Sequence, residues 1–332
     1  MTFIEKLIFA VERNDSLVCV GLDSDFEKIP ECLKSGKEKG GNPPRPEGSG
    51  HPSAGGDFSS RQRGDIILKF NKAIIDATKD AVCAYKPNSA FYEALGGRGI
   101  EVLKQTIAYI KEVAPSIPVI VDAKRADIGS TNEAYVEFVF SYLGADAVTI
   151  HPYLGREAVL PFLAQKEKGI IVLCRTSNSG ADEFQDLLVE ASSRGHTPAS
   201  GHPSQEGNSQ SPLPRRGVGV GNTREELYKV VARRVATEWN TNGNCGLVVG
   251  ATYPEELEEV RTLVGDMPIL VPGIGAQGGD VEKTVRAGLD SKGRGIIVNS
   301  SRGIIFASKG EDFAERAKEE SVKLRDEINK YR

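Results

Sequence analysis

The 332 residues carry 42 Lys and Arg against 46 Asp and Glu, a formal net charge of −4, and 39% of them are hydrophobic. This balance lacks the basic footprint of a nucleic-acid binder, and the length suits one large barrel or two ordinary domains. The five cysteines (Cys19, Cys32, Cys83, Cys174 and Cys245) are widely spaced with no Cys-x-x-Cys pair, which argues against a disulfide framework or a zinc site and fits a reducing cytoplasm.

At the N-terminus, Phe3, Ile4, Leu7, Ile8 and Val11 have helical spacing. Glu5 and Glu12 interrupt any apolar core there, so no signal peptide is expected. No run approaches the roughly 20 apolar residues that span a bilayer, and no membrane association is expected. Eight short apolar, β-rich runs follow, over residues 17–22, 81–86, 118–123, 147–151, 169–175, 245–250, 268–272 and 295–299. Each is nearly continuous, as expected of strands covered on both faces. Four of them hold Cys19, Cys83, Cys174 and Cys245, where a buried thiol is the ordinary reading.

Helical patterns alternate with these runs, over residues 66–79, 99–113, 132–143, 156–166, 224–239, 254–264 and 281–289. A last helix rich in Glu and Lys covers 312–331. Eight strand–helix units predict an α/β fold, a single (β/α)8 TIM barrel spanning residues 1–332, with a doubly wound open sheet as the rival.

Two segments break the alternation, from about residue 35 to 64 and from about 192 to 222. Both are rich in Gly, Pro, Ser and charge, and their composition predicts disordered inserts. They share a pentapeptide, Ser49-Gly50-His51-Pro52-Ser53 and Ser200-Gly201-His202-Pro203-Ser204, which suggests a common origin. Three of the four histidines, His51, His196 and His202, fall in these inserts, where a metal or partner site is the functional alternative to a plain surface excursion. The inserts follow the first and fifth predicted strands, so both are expected on the face where barrels do chemistry.

The third predicted strand ends in Val121-Asp122-Ala123-Lys124-Arg125-Ala126-Asp127-Ile128-Gly129-Ser130-Thr131. Asp122 and Lys124 are two apart, so on a regular strand they face the same way, toward the catalytic mouth. Asp127 follows in the loop, and Ser130 with Glu133 has the spacing of a capping box that starts the next helix. A buried ion-pair brace is the structural alternative, but such a set is a poor source of stability because desolvation offsets attraction. Glycines at 273, 275, 278 and 279 after the seventh strand, and Arg302-Gly303 after the eighth, suit a phosphate: backbone N–H groups can approach closely and a guanidinium can grip two oxygens. Gly273-x-Gly275-x-x-Gly278 also matches a dinucleotide fingerprint in form, but it lies late in the series and lacks the acidic residue closing a following strand.

These motifs resemble the orotidine 5'-phosphate decarboxylase family, whose signature D-x-K-x-x-D-x-x-x-T is matched by Asp122, Lys124, Asp127 and Thr131. Outside the inserts the resemblance covers essentially the whole chain, and it is strongest to the subgroup with D-A-K-R-x-D-I-G-S-T and V-P-G-I-G-A-Q-G-G-D. It implies decarboxylation of orotidine 5'-phosphate to UMP in pyrimidine biosynthesis, with no cofactor and no metal. Lys124 would be the proton donor in an alternating array with Lys86, Asp122 and Asp127. Asp23 and Lys86 would hold the ribose, Ser177 the pyrimidine, and Gln277, Gly278, Arg302 and Gly303 the phosphate. The family resemblance further implies a homodimer in which Asp127 and Thr131 reach the neighbouring site.

This chain departs from the subgroup pattern at Ala126, where Gly is frequent, at Ser179, where Pro is common, and at His151, where Asn is more usual. His151 is read as a hydrogen-bonding brace, with a catalytic role as the alternative. Two other readings stand beside the decarboxylase. One is another phosphate-binding barrel, a sugar-phosphate epimerase or aldolase-like synthase, in which the charged triplet serves metal-assisted chemistry. The other is an inactive barrel whose inserts bind a partner.

Overall fold

The computed structural model describes residues 1–35, 58–190, 224–274 and 280–332. The apolar runs form strands β1 (Val18–Gly21), β2 (Ala84–Lys86), β3 (Ile120–Arg125), β4 (Ala147–Ile150) and β5 (Gly169–Arg175). Two short strands follow, β6 (Leu188–Glu190) and β7 (Arg224–Glu226), and then β8 (Cys245–Val249), β9 (Ile269–Pro272) and β10 (Ile296–Ser300). Eight of them form one parallel sheet in the order β2-β1-β10-β9-β8-β5-β4-β3. Its two ends meet: Tyr85 N–H donates to Pro118 O at 3.0 Å and Asp122 N–H to Pro87 O at 2.9 Å. The sheet is therefore a closed (β/α)8 barrel and not the open rival.

The barrel strands are buried along nearly their whole length because helices cover the outside while facing strands fill the inside. Helix Ser60–Thr78 presents Ile67, Phe70, Ile74 and Ile75 to the barrel at helical spacing. Phe70 stacks against Phe306 and Phe313, with ring centroids 5.7 and 5.4 Å away, and so fixes the last helix, Phe313–Asn329. The N-terminal helix Phe3–Asn14 closes the N-terminal end of the barrel. Its Phe3 ring occupies the space beside Gly169, where an added Cβ would lie 2.3 Å from the ring. Cys19, Cys83, Cys174 and Cys245 are buried free thiols, as their strand context predicts. Among the described residues no helix is long and apolar enough to cross a membrane.

Two expected boundaries are corrected. The first insert does not extend to residue 64, because the helix already starts at Ser60. Ser59 accepts from Gln62 N–H, and the Gln62 side chain accepts from Ser59 N–H. The helix expected from residue 224 starts at Leu227, because residues 224–226 pair with β6 in an antiparallel ribbon. The remainder of the inserts, with His51, His196, His202 and both pentapeptides, lies outside the described residues.

Candidate active site

The closure between β2 and β3 brings the central charges together. The hydrogen bond from Asp122 N–H to Pro87 O sets Asp122 beside the end of β2, where Lys86 points inward. Lys86 Nζ lies 2.7 Å from Asp122 Oδ2, and Lys124 Nζ lies 2.6 Å from Asp122 Oδ1. Lys86 and Asp122 are buried, whereas half of the Lys124 side chain is exposed at the mouth. Burial alone would push the Asp122 carboxyl upward, but the ammonium groups of Lys86 and Lys124 outweigh it and hold the group far below the usual carboxylate range. For Lys86, burial disfavours the charged form, and the carboxylates of Asp122 and Asp23 more than offset that, raising its pKa.

The strand is not regular where these residues sit. Val121 pairs with Val148 and Arg125 with Ile150, so three residues of β3 face Thr149 alone. Lys124 has φ +47°, in the left-handed region that non-glycine residues seldom enter. Simple alternation predicted the right neighbours for an incomplete reason: a bulge, and not only the pleat, turns both side chains to the mouth. The Thr149 hydroxyl donates to Asp122 Oδ1 at 2.8 Å and accepts from Lys124 N–H at 3.0 Å.

Beyond the bulge, Asp127 is partly buried and accepts from Ile128 N–H at 2.7 Å. Among the described residues it makes no ion pair, so the fourth member of the expected array is not joined to Lys124 within this chain. Asn132 is fully buried and its side chain accepts from Asp127 N–H at 2.8 Å while donating to the carbonyls of Asp127 and Ala158. This buried amide ties down the loop before the helix, and the capping box expected at Ser130 and Glu133 does not form. The helix in fact begins at Gly129, with Ile128 preceding it and no side-chain cap. Thr131 is exposed on its first turn. His151 Nδ1 accepts from Tyr153 N–H at 3.3 Å and its Nε2 lies 3.1 Å from Ala126 O, so both ring nitrogens hold backbone, as a brace would.

Around the rest of the mouth, Asp23 follows β1 and its Oδ1 is buried with no hydrogen-bond partner among the described residues. Its neighbours are pinned by a buried network. Ser24 and Asn71 share a 2.5 Å hydrogen bond, Asn71 donates to Tyr92 and Thr106, and Tyr92 donates to Leu22 O at 3.0 Å. A buried carboxylate oxygen at the mouth can accept a hydrogen bond from a group that enters there. Arg302 and Gly303 are exposed just past β10, where the turn at Ser301 passes close to Gly21. Ser177 lies against Gly250, where an added Cβ would be 3.0 Å from Ser177 N. Gln277 and Gly278 lie outside the described residues.

Arg175, at the end of β5, joins three segments near Ser177. It pairs with Glu256 at 2.7 Å and with Asp186 at 3.2 Å. Sequence reasoning missed Thr149, Asn132 and Arg175, whose parts depend on contacts across the barrel. Only Arg175, a charge ending an apolar run, carried a visible signal. A separate cavity, lined by Leu7, Cys245, Asp266 and Arg294 among others, opens at the opposite, N-terminal end and contains none of the charged array.

Residues 16–209 match the family described as Orotidine 5'-phosphate decarboxylase / HUMPS family. An orotidine 5'-phosphate decarboxylase of Cellvibrio japonicus is 45% identical over 329 residues, covering 99% of this chain and 98% of its own. The Ralstonia pickettii protein of the same name is 42% identical over 332 residues, all of both chains. The structure of Leishmania donovani OMP decarboxylase superposes with a TM-score of 0.69 at 32% identity, covering 100% of this chain and 98% of that one. The chain belongs to the orotidine 5'-phosphate decarboxylase / HUMPS family.

Proposed function

We propose that this protein decarboxylates orotidine 5'-phosphate to UMP and CO2, the last step of de novo pyrimidine nucleotide synthesis, as a cytoplasmic homodimer. The observation that carries the reading is the Lys86–Asp122–Lys124 ion chain at the C-terminal mouth of a barrel of this family. Loss of CO2 leaves an electron pair on C6 of the pyrimidine. The half-exposed Lys124 ammonium is the group that meets it, first as a compensating charge and then as the proton donor. No cofactor is invoked. Lys86 and Asp23, whose Oδ1 has no hydrogen-bond partner among the described residues, receive the ribose, Ser177 the pyrimidine edge, and Arg302 with Gly303, Gln277 and Gly278 the phosphate.

The charge balance favours stabilisation of the carbanion over repulsion of the substrate carboxylate. A bare Asp122 about 4 Å from that carboxylate would cost about 4 kcal/mol at an effective dielectric of 20, or about three decades of rate. Asp122 is not bare, since an ammonium sits on each of its oxygens. Repulsion is correspondingly weaker, and the preorganised Lys124 carries more of the acceleration.

Asp127 and Thr131 are assigned to the neighbouring subunit's site. Asp127 makes no ion pair among the described residues of its own chain; Ile128, which follows it, and Tyr153, whose N–H meets the His151 ring beside Ala126 O, are exposed at 63% and 83%. Exposed apolar groups clustered beside a site suit a subunit contact.

The test is to incubate purified protein with orotidine 5'-phosphate and a chelator and to follow the ultraviolet change. Equal amounts of UMP and CO2 are expected, and Lys124→Ala is expected to abolish turnover while leaving the fold intact. No UMP from the wild type, or full activity in the variant, would overturn the reading. Loss of turnover on chelation would point to metal-assisted chemistry instead.

A further inference from the structure

We infer that Thr149 is a positioning residue for the decarboxylation, holding Lys124 in its left-handed conformation and orienting Asp122 through a single hydroxyl; the inference rests on the function proposed above. Thr149 is the only β4 residue facing the three-residue stretch 122–124. It is 1% exposed, so neither of its hydrogen bonds can be exchanged for one to bulk water. A hydroxyl has one proton to give and lone pairs to receive. Here the proton goes to Asp122 Oδ1, and a lone pair takes Lys124 N–H.

The two bonds act on different parts of the array. Positive φ at Lys124 is costly for a residue with a Cβ and persists only where the surroundings over-determine it. The bond to Lys124 N–H anchors the backbone on the far side of that strained φ. The bond to Asp122 Oδ1 fixes the oxygen that also receives Lys124 Nζ. One buried side chain thus sets both ends of the lysine: where its backbone leaves the strand and which carboxylate oxygen its ammonium meets. A valine at this position would match the shape and supply neither bond. Lys124 N–H would then lack its acceptor, and the left-handed turn would lose the side-chain bond that holds it against regular pairing.

Thr149→Ser keeps the hydroxyl and Thr149→Val removes it. In Thr149→Val, kcat on orotidine 5'-phosphate is expected to fall about 10- to 100-fold, the consequence of losing one or two buried hydrogen bonds at the reacting group. UMP affinity should stay within about threefold of wild type, because ribose, base and phosphate contacts are untouched. Thr149→Ser should recover kcat to within about threefold, a rescue that a purely space-filling role would not give. A crystal structure of Thr149→Val should show Lys124 out of the left-handed region, a readout independent of activity. Lys124 retaining its positive φ in that variant would overturn the inference, as would a wild-type kcat or an equal defect in Thr149→Ser. Inactive wild-type protein would count against the proposed function alone, and the conformation of Lys124 in the variant would still decide the role of Thr149.

Discussion

Lys86 Nζ and Asp122 Oδ2 lie 2.7 Å apart, and both residues are buried. Removing one member of such a pair strands the other charge, and the usual cost is about 3–5 kcal/mol. Asp122→Asn should therefore lower unfolding free energy by about 3 kcal/mol in urea at neutral pH, in addition to impairing catalysis. A loss below about 0.5 kcal/mol would mean that water screens the pair and the ion chain is surface-like.

The same pair predicts a pH dependence. The folded-state pKa of Asp122 is depressed, so its contribution is fully present above the unfolded carboxylate value, about 3.9, and fades as pH falls toward the folded one. The folded-state pKa of Lys86 is raised, so its contribution is fully present below the unfolded lysine value, about 10.4, and fades as pH rises through the folded one. In Asp122→Asn the stranded Lys86 keeps its burial and loses its main partner, so its pKa falls below the ordinary lysine value. The stability gap between wild type and Asp122→Asn should stay level from about pH 5 to the pH at which that lysine begins to lose its proton, and shrink on either side. A gap that already changes steadily between about pH 5 and pH 6 would assign the titration to another group.

Much of the barrel was legible because buried parallel strands are near-continuous apolar runs, and the runs at residues 147–151 and 245–250 became β4 and β8 almost unaltered. Lys86, Asp122 and Lys124 were legible as charges at strand ends. Their local geometry was not: the bulge depends on Thr149, which looks like any other strand threonine until its position opposite residues 122–124 is known. Strand β7 was missed because Arg224-Glu225-Glu226 has no strand pattern of its own, and only its partner across the second insert makes it a strand. The capping box at Ser130 was a true local pattern overridden by a longer-range one, since Asn132 ties the loop to Ala158 O and the helix starts earlier.

Gly21 is needed for space. An added Cβ would lie 1.8 Å from Ser301 Oγ and 2.8 Å from Ser301 Cβ, immediately before Arg302. Gly21→Ala should push that turn outward and weaken the phosphate contact proposed for Arg302 while the barrel survives. We expect KM for orotidine 5'-phosphate to rise about 10-fold or more, comparable to the loss of one charge-assisted hydrogen bond. Arg302→Ala should raise KM for the same substrate and barely affect orotidine, which has no phosphate. If both substrates weaken equally in Arg302→Ala, the guanidinium supports the loop and does not bind phosphate.

The proposed sharing of Asp127 between subunits can be tested by complementation. Lys124→Ala and Asp127→Ala homodimers should each be nearly inactive. After subunit exchange at equal amounts, half the dimers are mixed, and each mixed dimer has one site with both native residues. Activity should recover to about one quarter of wild type, the fraction set by an isologous two-fold interface. No recovery despite demonstrated exchange would place Asp127 and Lys124 of the same chain in one site.

The second insert leaves the barrel through a built stem. β6 and β7 pair as Leu188↔Glu226, Val189↔Glu225 and Glu190↔Arg224, and Leu227 N–H donates to Leu187 O at 2.9 Å. Because Glu190 and Arg224 are already opposed, a two-residue Asn-Gly turn between them would close an ordinary hairpin with no change of register. The stem also reaches the active site, since Arg175 pairs with Asp186 just before β6 while ending β5 just before Ser177. Replacing residues 191–223 with Asn-Gly should therefore preserve the stem, the Arg175 clasp and kcat. Shorter loop closure should stabilise the protein by up to about 2 kcal/mol. The measurements are thermal unfolding and turnover of the shortened protein beside the intact one. A lower Tm, or a kcat reduced more than about threefold, would show that the insert itself takes part in folding or catalysis.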